Sequence, residues 1–291
     1  MSGPVPAPTP AQALAAVLAT GRDSLGFADD PGREARRLLA HAAGVEPGAL
    51  LTLGPGDFTE EVMSRYAALL ARRARREPMA QILGYRDFHA HRFRVTADVL
   101  DPRPETETVV RAALEAPFSR MLDLGTGTGC ILLSLLAARP GAEGLGTDIS
   151  EAALAVARRN AADLGLAGRA RFALSDWLAG LEGRFDLIVA NPPYIAAAEM
   201  PGLAPEIREW EPHAALTDGD DGLSAYRAIA RGAPAHLAPG GRLIVEVGAG
   251  QADAVAGLFA AAGFVEPTIR HDLDGRARAV VALAPGGGTV K

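Results

Sequence analysis

The chain has 291 residues, of which 48% are hydrophobic and 22% are charged, so it is long enough to bury a full core and to form two domains. Its net charge of -6 and pI of about 5.6 argue against binding to nucleic acid through a strongly basic face. Cys130 is the only cysteine, which excludes an intrachain disulfide and a cysteine-based metal cage and favours a reducing, cytoplasmic setting.

The first ten residues, 1–10, are predicted to form a short flexible tail. They are rich in proline, and they lack the basic stretch followed by an apolar core that a targeting peptide needs. Elsewhere, no apolar run approaches the roughly 18 residues of a membrane span. We therefore expect no membrane association.

Residues 11–84 are predicted to form a small all-α domain. Alanine, leucine and arginine dominate, and breaks such as Pro31-Gly32 and Pro47-Gly48 divide the segment into four or five short helices. Four arginines crowd the end of the last long helix: Arg72, Arg73, Arg75 and Arg76. Because cations suit the C-terminal end of a helix dipole, we interpret them as a solvated face. A docking patch for an acidic or RNA-bearing partner is the alternative.

Residues 85–112 are predicted to form a hairpin and a linker. Phe88, Phe93, Val95 and Val99 recur among polar residues with a period near two, which is typical of short strands. The run from Asp101 to Glu107 contains two prolines that fix its approach to a helix beginning near Thr106.

Residues 113–291 alternate between strand and helix patterns, which makes the fold class α/β. Repeated βα units predict a mainly parallel sheet with helices on both faces. The last two strand patterns flank Asp274-Gly275, a hairpin signal. The sheet should therefore end in an antiparallel pair.

A glycine-rich turn, Asp123-Leu124-Gly125-Thr126-Gly127-Thr128-Gly129, lies between a predicted strand and a predicted helix. Its glycines allow a ligand to approach the backbone, and the helix N-terminus offers unpaired N–H groups. Cys130 stands where the dinucleotide fingerprint needs a glycine. The spacing instead resembles class I S-adenosylmethionine-dependent methyltransferases. The predicted cofactor-binding residues here are Gly125, Thr126, Gly127, Thr128 and Gly129.

Two further strand ends carry polar or aromatic residues suited to a nucleoside. Asp148 ends the second strand and could accept both ribose hydroxyls. Asp176 and Trp177 follow the third strand, where they could bind the adenine amino group and cover the ring. Taken singly, Asp148 could belong to a helix cap and Trp177 to the core. Together they predict one crevice.

The tetrapeptide Asn191-Pro192-Pro193-Tyr194 directly follows a buried strand. Two consecutive prolines make a rigid segment that presents carbonyl acceptors. The Asn191 side-chain oxygen and the Pro192 carbonyl could each accept one hydrogen of a substrate NH2 group, and Tyr194 could cover its planar face. The motif contains no general base, so catalysis is expected to rest on positioning and electrostatics.

Four histidines and one further strand-end carboxylate are weaker candidates for site residues. His89, His91, His213 and His271 lack metal-ligand spacing, so we assign no metal. Glu246 ends the fifth predicted strand and could face the crevice or be solvated.

Over nearly its whole length the chain resembles the HemK/PrmC family of release-factor glutamine methyltransferases. The Pro102-Arg103-Pro104-Glu105-Thr106-Glu107 run is the most specific match. Val99-Leu100 precedes it in the same matching stretch. Three more stretches carry the resemblance: Asp123 to Gly129, Asn191 to Ile195, and Glu211-Pro212 with Ala215-Leu216 and Asp221-Gly222-Leu223. Ala90 and Asp101 depart from the family pattern, which normally has a glycine and an apolar residue at these positions.

The resemblance implies a class I fold, with a Rossmann-like seven-stranded sheet whose final strand is antiparallel, after a helical domain and a hairpin connector. It implies N5-methylation of the glutamine in the Gly-Gly-Gln loop of class I peptide chain release factors, with S-adenosyl-L-methionine converted to S-adenosyl-L-homocysteine. Asn191 would contact cofactor and substrate, and the substrate would also contact Pro192, Pro193 and Tyr194. The helical domain would contact the release factor. We expect a monomer.

Two alternatives remain open. Asn-Pro-Pro-Tyr is shared with enzymes that methylate the exocyclic amines of nucleic acids, such as DNA adenine N6 or ribosomal RNA guanine N2. The acidic pI weighs against stable nucleic-acid binding. A non-catalytic binding module is the other alternative, and the intact glycine-rich turn, Asp148 and Asn191 weigh against it.

Overall fold

The computed structural model describes residues 9–284, and the chain divides between Gly84 and Tyr85 into two compact units. Of the predicted tail, residues 1–8 lie outside the described part of the chain. Pro10 already belongs to the first helix, whose N-terminus is capped by the Thr9 side chain through the Gln12 N–H.

The first unit is helical, as the sequence predicts. Two 3-10 turns, Pro47–Thr52 and Pro55–Asp57, separate its second and third α-helices. The α-helices are α1 (Pro10–Ser24), α2 (Pro31–Ala43), α3 (Glu60–Ala74) and α4 (Met79–Leu83). Buried leucines of α2 pack with Tyr66 of α3 in the interior of this unit. Gly44 adopts φ 69° and ends α2 in the left-handed conformation.

The arginines at the end of α3 are mostly structural, so the interpretation of the cluster as a solvated face is wrong for Arg73. The Arg73 side chain is 7% exposed, and its Nε donates to Glu34 Oε2 at 2.7 Å. Arg72 Nε donates to Glu77 Oε2 at 2.9 Å. The guanidinium groups of Arg73 and Arg76 also lie over the Phe27 ring. Arginine on a helix face can thus be recruited into a core by a distant carboxylate, which local sequence does not reveal.

Arg73→Ala should lower the free energy of unfolding by about 3 kcal/mol, because it removes one partner of a buried ion pair and leaves Glu34 uncompensated. Arg75→Ala is the matched control, since Arg75 is exposed at the end of the same helix. It should change stability by no more than about 0.5 kcal/mol. Urea unfolding of the full chain, followed by circular dichroism, measures both values. Equal effects of the two substitutions would refute the structural role of Arg73.

The second unit begins with the predicted hairpin. Strands β1 (Tyr85–Phe88) and β2 (His91–Arg94) pair antiparallel. The remaining elements are α5 (Glu107–Leu114), β3 (Arg120–Leu124), α6 (Cys130–Ala138), β4 (Glu143–Asp148), α7 (Glu151–Asp163), β5 (Ala170–Leu174), β6 (Phe185–Ala190), α8 (Pro205–Arg208), α9 (His213–Leu216), α10 (Ser224–His236), β7 (Leu237–Glu246), α11 (Ala252–Ala261), β8 (Val265–His271) and β9 (Ala277–Leu283).

The departures from the family pattern are accommodated locally. In the hairpin turn, His89 rather than Ala90 adopts a positive φ, of 54°, so alanine at position 90 meets no left-handed strain. Asp101 is buried, and its carboxylate lies 3.5 Å from Arg86 Nε and 3.8 Å from Arg103 Nη1. The charge that replaces an apolar residue is therefore compensated by two arginines.

Seven strands form one sheet in the order β5-β4-β3-β6-β7-β9-β8. The five strands from β5 to β7 are parallel, and β9 is antiparallel to both of its neighbours, which confirms the predicted α/β fold with an antiparallel final strand. Buried apolar side chains cover both faces of the sheet.

The parallel strands end in register. One row of paired residues crosses the sheet near its carboxyl edge: Ala173, Thr147, Leu124, Ala190 and Val245. The next residues of the four strands from β4 to β7 are Asp148, Gly125, Asn191 and Glu246. Residues far apart in the chain thus reach one edge of the sheet, where ligands bind in open α/β folds.

Candidate active site

A cavity of about 510 Å³ opens at this carboxyl edge, a size typical of small-ligand sites. Nine predicted site residues line it: Gly125, Thr126, Gly127, Thr128, Asp148, Asp176, Trp177, Asn191 and Pro193. The other three, Gly129, Pro192 and Tyr194, lie outside this lining. The structure therefore brings most of the predicted cofactor residues together with the start of the acceptor motif.

The glycine-rich turn requires its glycines. Gly125, Gly127 and Gly129 have φ values of 67°, 54° and 79°, a region that other residues rarely occupy. Gly129 is the residue before α6, so the turn delivers the N-terminus of that helix to the cavity. The Gly127 N–H donates to Asp148 Oδ2 at 2.9 Å, which ties the turn to the end of β4.

Asp148 has two tasks within the chain. Besides the Gly127 N–H, its carboxylate accepts the Ser150 N–H at Oδ1, at 2.9 Å, ahead of α7. The helix-cap alternative is thus partly right, although Ser150 is the residue that caps α7. Each carboxylate oxygen retains further acceptor capacity. Asp148 can therefore shape the turn and still accept ribose hydroxyls.

Asp123 lies beneath the turn and was not predicted as a site residue. It is 1% exposed, and its Oδ2 accepts the Thr126 hydroxyl at 2.6 Å. Burial is the main cause that raises the pKa of the Asp123 carboxyl to about 7. Its position as the first residue of the motif was the available signal, and the structure shows that it supports the turn from inside.

An apolar surface for a planar ring forms beside Asp148. Ile149 is 60% exposed and lines the cavity, and Trp177 lines it from the end of β5. Trp177 is also partly buried against the core, so its core interpretation holds in part. Its φ of 50° is an uncommon conformation for an aromatic residue. Sequence reasoning missed Ile149, whose signal was an apolar residue directly after a strand-end carboxylate.

In the acceptor motif, Asn191 Nδ2 donates to Thr106 Oγ1 at 3.2 Å. Among residues 9–284, none donates a hydrogen bond to Asn191 Oδ1, so that oxygen remains available as an acceptor. Thr106 also lines the cavity and is another residue there that the sequence motifs did not single out. Its signal was its place in the Pro102 to Glu107 run.

Tyr194 is fixed from several sides. Gln251 Nε2 donates to its carbonyl at 2.8 Å. A Cβ added at Gly222 would lie 2.3 Å from that carbonyl oxygen, and one at Gly248 would lie 2.9 Å from the Tyr194 ring. Burial raises the pKa of the Tyr194 phenol well above its usual value, so it stays protonated at neutral pH.

An ion pair closes one side of the cavity. Arg103 Nη2 lies 2.6 and 2.7 Å from the two carboxylate oxygens of Glu211, whose side chain is 1% exposed. Arg103 belongs to the linker, and Pro212 next to Glu211 lines the cavity. The pair joins two family stretches that are 108 residues apart in the chain.

In the described part of the chain, no group of three or more histidine, cysteine, aspartate or glutamate residues is arranged to hold a metal ion. Nor does any helix between residues 9 and 284 have the length and apolar character to cross a bilayer. The chemistry of the cavity is that of glycine backbone, carboxylates, an aromatic ring and an asparagine amide.

Comparisons with known proteins identify two matching family models and close relatives of the chain. Residues 16–84 match the model of the PrmC N-terminal domain, and residues 103–207 match the methyltransferase small domain. The release factor glutamine methyltransferase of Cereibacter sphaeroides is 59% identical over 257 residues, which are 88% of this chain and 92% of that protein. The enzyme of the same name from Rhodospirillum rubrum is 48% identical over 96% of this chain and 88% of its own length.

Solved structures support the fold. A methyltransferase from Pyrococcus furiosus superposes with a TM-score of 0.50 at 17% identity, over 66% of this chain and 87% of that one. At this identity the likeness concerns the fold alone.

Asp148→Ala should raise the dissociation constant of S-adenosylhomocysteine by about 10- to 100-fold, because charge-assisted hydrogen bonds to a ligand and the tether on Gly127 are both lost. Asp186→Ala is the matched control. Asp186 also accepts two backbone N–H groups, from Ser119 and Arg120, but at the opposite end of the sheet. Isothermal titration calorimetry should show that Asp186→Ala binds S-adenosylhomocysteine with a dissociation constant within about twofold of the wild type. An unchanged constant for Asp148→Ala would remove Asp148 from the site.

Proposed function

The chain belongs to the release factor glutamine methyltransferase family, and from this we propose how its residues carry out N5-methylation of the glutamine in the Gly-Gly-Gln loop of peptide chain release factors. The observation that carries the proposal is the placement of Asn191 in the cavity that Gly127 and Asp148 also line. The residue proposed to bind the substrate amide and the residues proposed to bind the cofactor therefore line the same cavity.

S-adenosylmethionine, when bound, supplies an electrophilic methyl group attached to a sulfonium. We assign the cofactor cradle to the glycine-rich turn, Asp148, Asp176 and Trp177, with Ile149 against the adenine ring. The unpaired N–H groups at the start of α6 suit the carboxylate of the methionine moiety. Asp148 suits the ribose, because it lines the cavity and its carboxylate oxygens have acceptor capacity beyond the two backbone N–H groups that they accept.

The acceptor side must overcome the weak nucleophilicity of an amide nitrogen, whose lone pair is delocalised into the carbonyl. Asn191 Oδ1 and the Pro192 carbonyl would each accept one hydrogen of the glutamine NH2 group, which orients the nitrogen for in-line attack. Tyr194 would cover the planar face of the amide, and its phenol is too strongly held in the protonated form to act as a base. Rate enhancement then comes from orientation and electrostatics rather than from a general base.

We assign the helical unit a role in release-factor recognition. Residues 16–84 match the PrmC N-terminal domain, which separates this chain from methyltransferases that have a catalytic domain alone. We propose a class I release factor as the partner, with the chain acting as a monomer in the cytoplasm. The net charge of -6 favours a protein partner over nucleic acid.

Radiolabelled S-adenosylmethionine tests the function directly. The chain should label a purified release factor and should not label a variant in which the loop glutamine is replaced by alanine. DNA and ribosomal RNA serve as competing acceptors in parallel reactions. Equal labelling of the release factor and its alanine variant would place the methyl group on a residue other than the loop glutamine. Labelling of nucleic acid alone would favour the exocyclic-amine alternative. Cofactor binding without transfer to any acceptor would favour the binding module.

Asn191→Ala should lower kcat for the release factor by about 100- to 1,000-fold, because it removes a preorganised acceptor that acts on the reacting nitrogen. The dissociation constant of S-adenosylhomocysteine should rise far less, since the turn and Asp148 remain. Single-turnover kinetics and calorimetry give the two values. A variant with full activity would contradict the acceptor role of Asn191.

A further inference from the structure

Glu246 is a buried carboxylate that the mechanism above does not use. It is the last residue of β7 and is 1% exposed, so it is not the solvated strand-end carboxylate that sequence allowed. Within residues 9–284, no donor meets hydrogen-bond geometry at either of its carboxylate oxygens, although the Thr106 hydroxyl is near enough to stabilise its charged form. An unpartnered buried carboxylate costs several kcal/mol of stability, so a position that retains one calls for a functional reason.

The location of Glu246 supplies that reason. Ala190 pairs with Val245 in the register of β6 and β7, so Asn191, directly after β6, and Glu246, the last residue of β7, lie at the same level of neighbouring strands. Burial raises the pKa of Glu246 to about 7, while the hydroxyl of Thr106 and the guanidinium of Arg278 favour its charged form. Thr106 is the residue whose Oγ1 accepts a hydrogen bond from Asn191.

We propose that Glu246 is a positioning residue that, through the Thr106 hydroxyl, orients the Asn191 side-chain amide for the incoming glutamine. Thr106 Oγ1 accepts the hydrogen bond from Asn191 Nδ2, so the hydroxyl proton of Thr106 can be donated to the Glu246 carboxylate. The relay runs from Asn191 N–H to Thr106 and from Thr106 O–H to Glu246. This inference rests on the proposed function, because it specifies how the same acceptor site is held in shape.

The relay matters because an asparagine amide can rotate by half a turn and exchange its oxygen for its NH2 group. With Nδ2 toward Thr106, Oδ1 is available to accept from a substrate NH2. After a flip, two donors would face each other and the substrate amide would be rejected. A hydroxyl without an acceptor behind it could donate to Oδ1 and stabilise the flipped form. Glu246 prevents this donation, because its carboxylate accepts the Thr106 hydroxyl proton on the side of Thr106 away from Asn191.

Thr106→Val and Glu246→Leu test the relay on the full-length chain. Each should lower kcat for the release factor by about 10- to 100-fold, because the amide loses its preferred orientation. The dissociation constant of S-adenosylhomocysteine and KM for the release factor should stay within about threefold. Thr106→Ser, which keeps the hydroxyl, should restore most of kcat. Failure of the serine variant to do so would overturn the relay.

The double variant gives the sharpest outcome. If Thr106 and Glu246 act as one unit, Thr106→Val/Glu246→Leu should fall no more than about twofold below the slower single variant. A kcat of the double variant that is reduced by the product of the two single reductions would mean that Thr106 and Glu246 act independently, and it would contradict the proposal. Thr108→Val is the matched control: Thr108 is a buried threonine of α5 whose hydroxyl accepts from Arg111 instead, and its kcat should be unchanged.

Thermal unfolding separates positioning from support of the fold. Because a buried carboxylate carries a large desolvation cost, which a single hydroxyl donor offsets only in part, Glu246→Leu should leave the unfolding temperature unchanged or raise it while kcat falls. A parallel loss of stability and activity would indicate a structural role and sink the proposal. If the wild type labels no release factor, the proposed function fails before the variants are compared; an active wild type with unaffected variants overturns the relay alone.

Discussion

The shared register of the parallel strands is the constraint on which the site depends. One row of paired residues crosses β5, β4, β3, β6 and β7, so whatever follows it in each strand arrives at the same edge. In the four strands from β4 to β7, those following residues are Asp148, Gly125, Asn191 and Glu246. A slip of one residue in any strand would turn its side chains to the other face and dismantle the cofactor cradle or the acceptor site.

Around that edge, polar side chains are held by hydrogen bonds within the chain that leave some of their acceptor capacity unused. Asp148 is engaged by two backbone N–H groups and still has acceptor capacity for a ribose. Asn191 donates from its NH2 group to Thr106, and its side-chain oxygen keeps its acceptor capacity, which the proposed function assigns to the substrate. Each of these internal hydrogen bonds therefore engages one donor or acceptor of the side chain and leaves the remaining acceptor capacity for a ligand.

Sequence was sufficient wherever the chemistry is local. The glycine-rich turn, the strand-end acids and Asn-Pro-Pro-Tyr are contiguous motifs, and alternating strand and helix patterns predicted the sheet and its antiparallel end. Contacts between distant residues escaped it: Asn191 and Thr106 are 85 residues apart, and Arg73 is buried because Glu34 lies 39 residues earlier. The burial of Glu246, which is 1% exposed, could not be inferred either, since a charged side chain at a strand end is usually solvated.

A crystal structure of the chain with S-adenosylhomocysteine and a release factor tests the central claim most directly. The side-chain amide of the loop glutamine should donate its two hydrogens to Asn191 Oδ1 and the Pro192 carbonyl, with its nitrogen facing the cofactor sulfur. Asn191 Nδ2 should remain on Thr106. A glutamine held by other residues, or an Asn191 amide turned to present its NH2 group to the substrate, would contradict it.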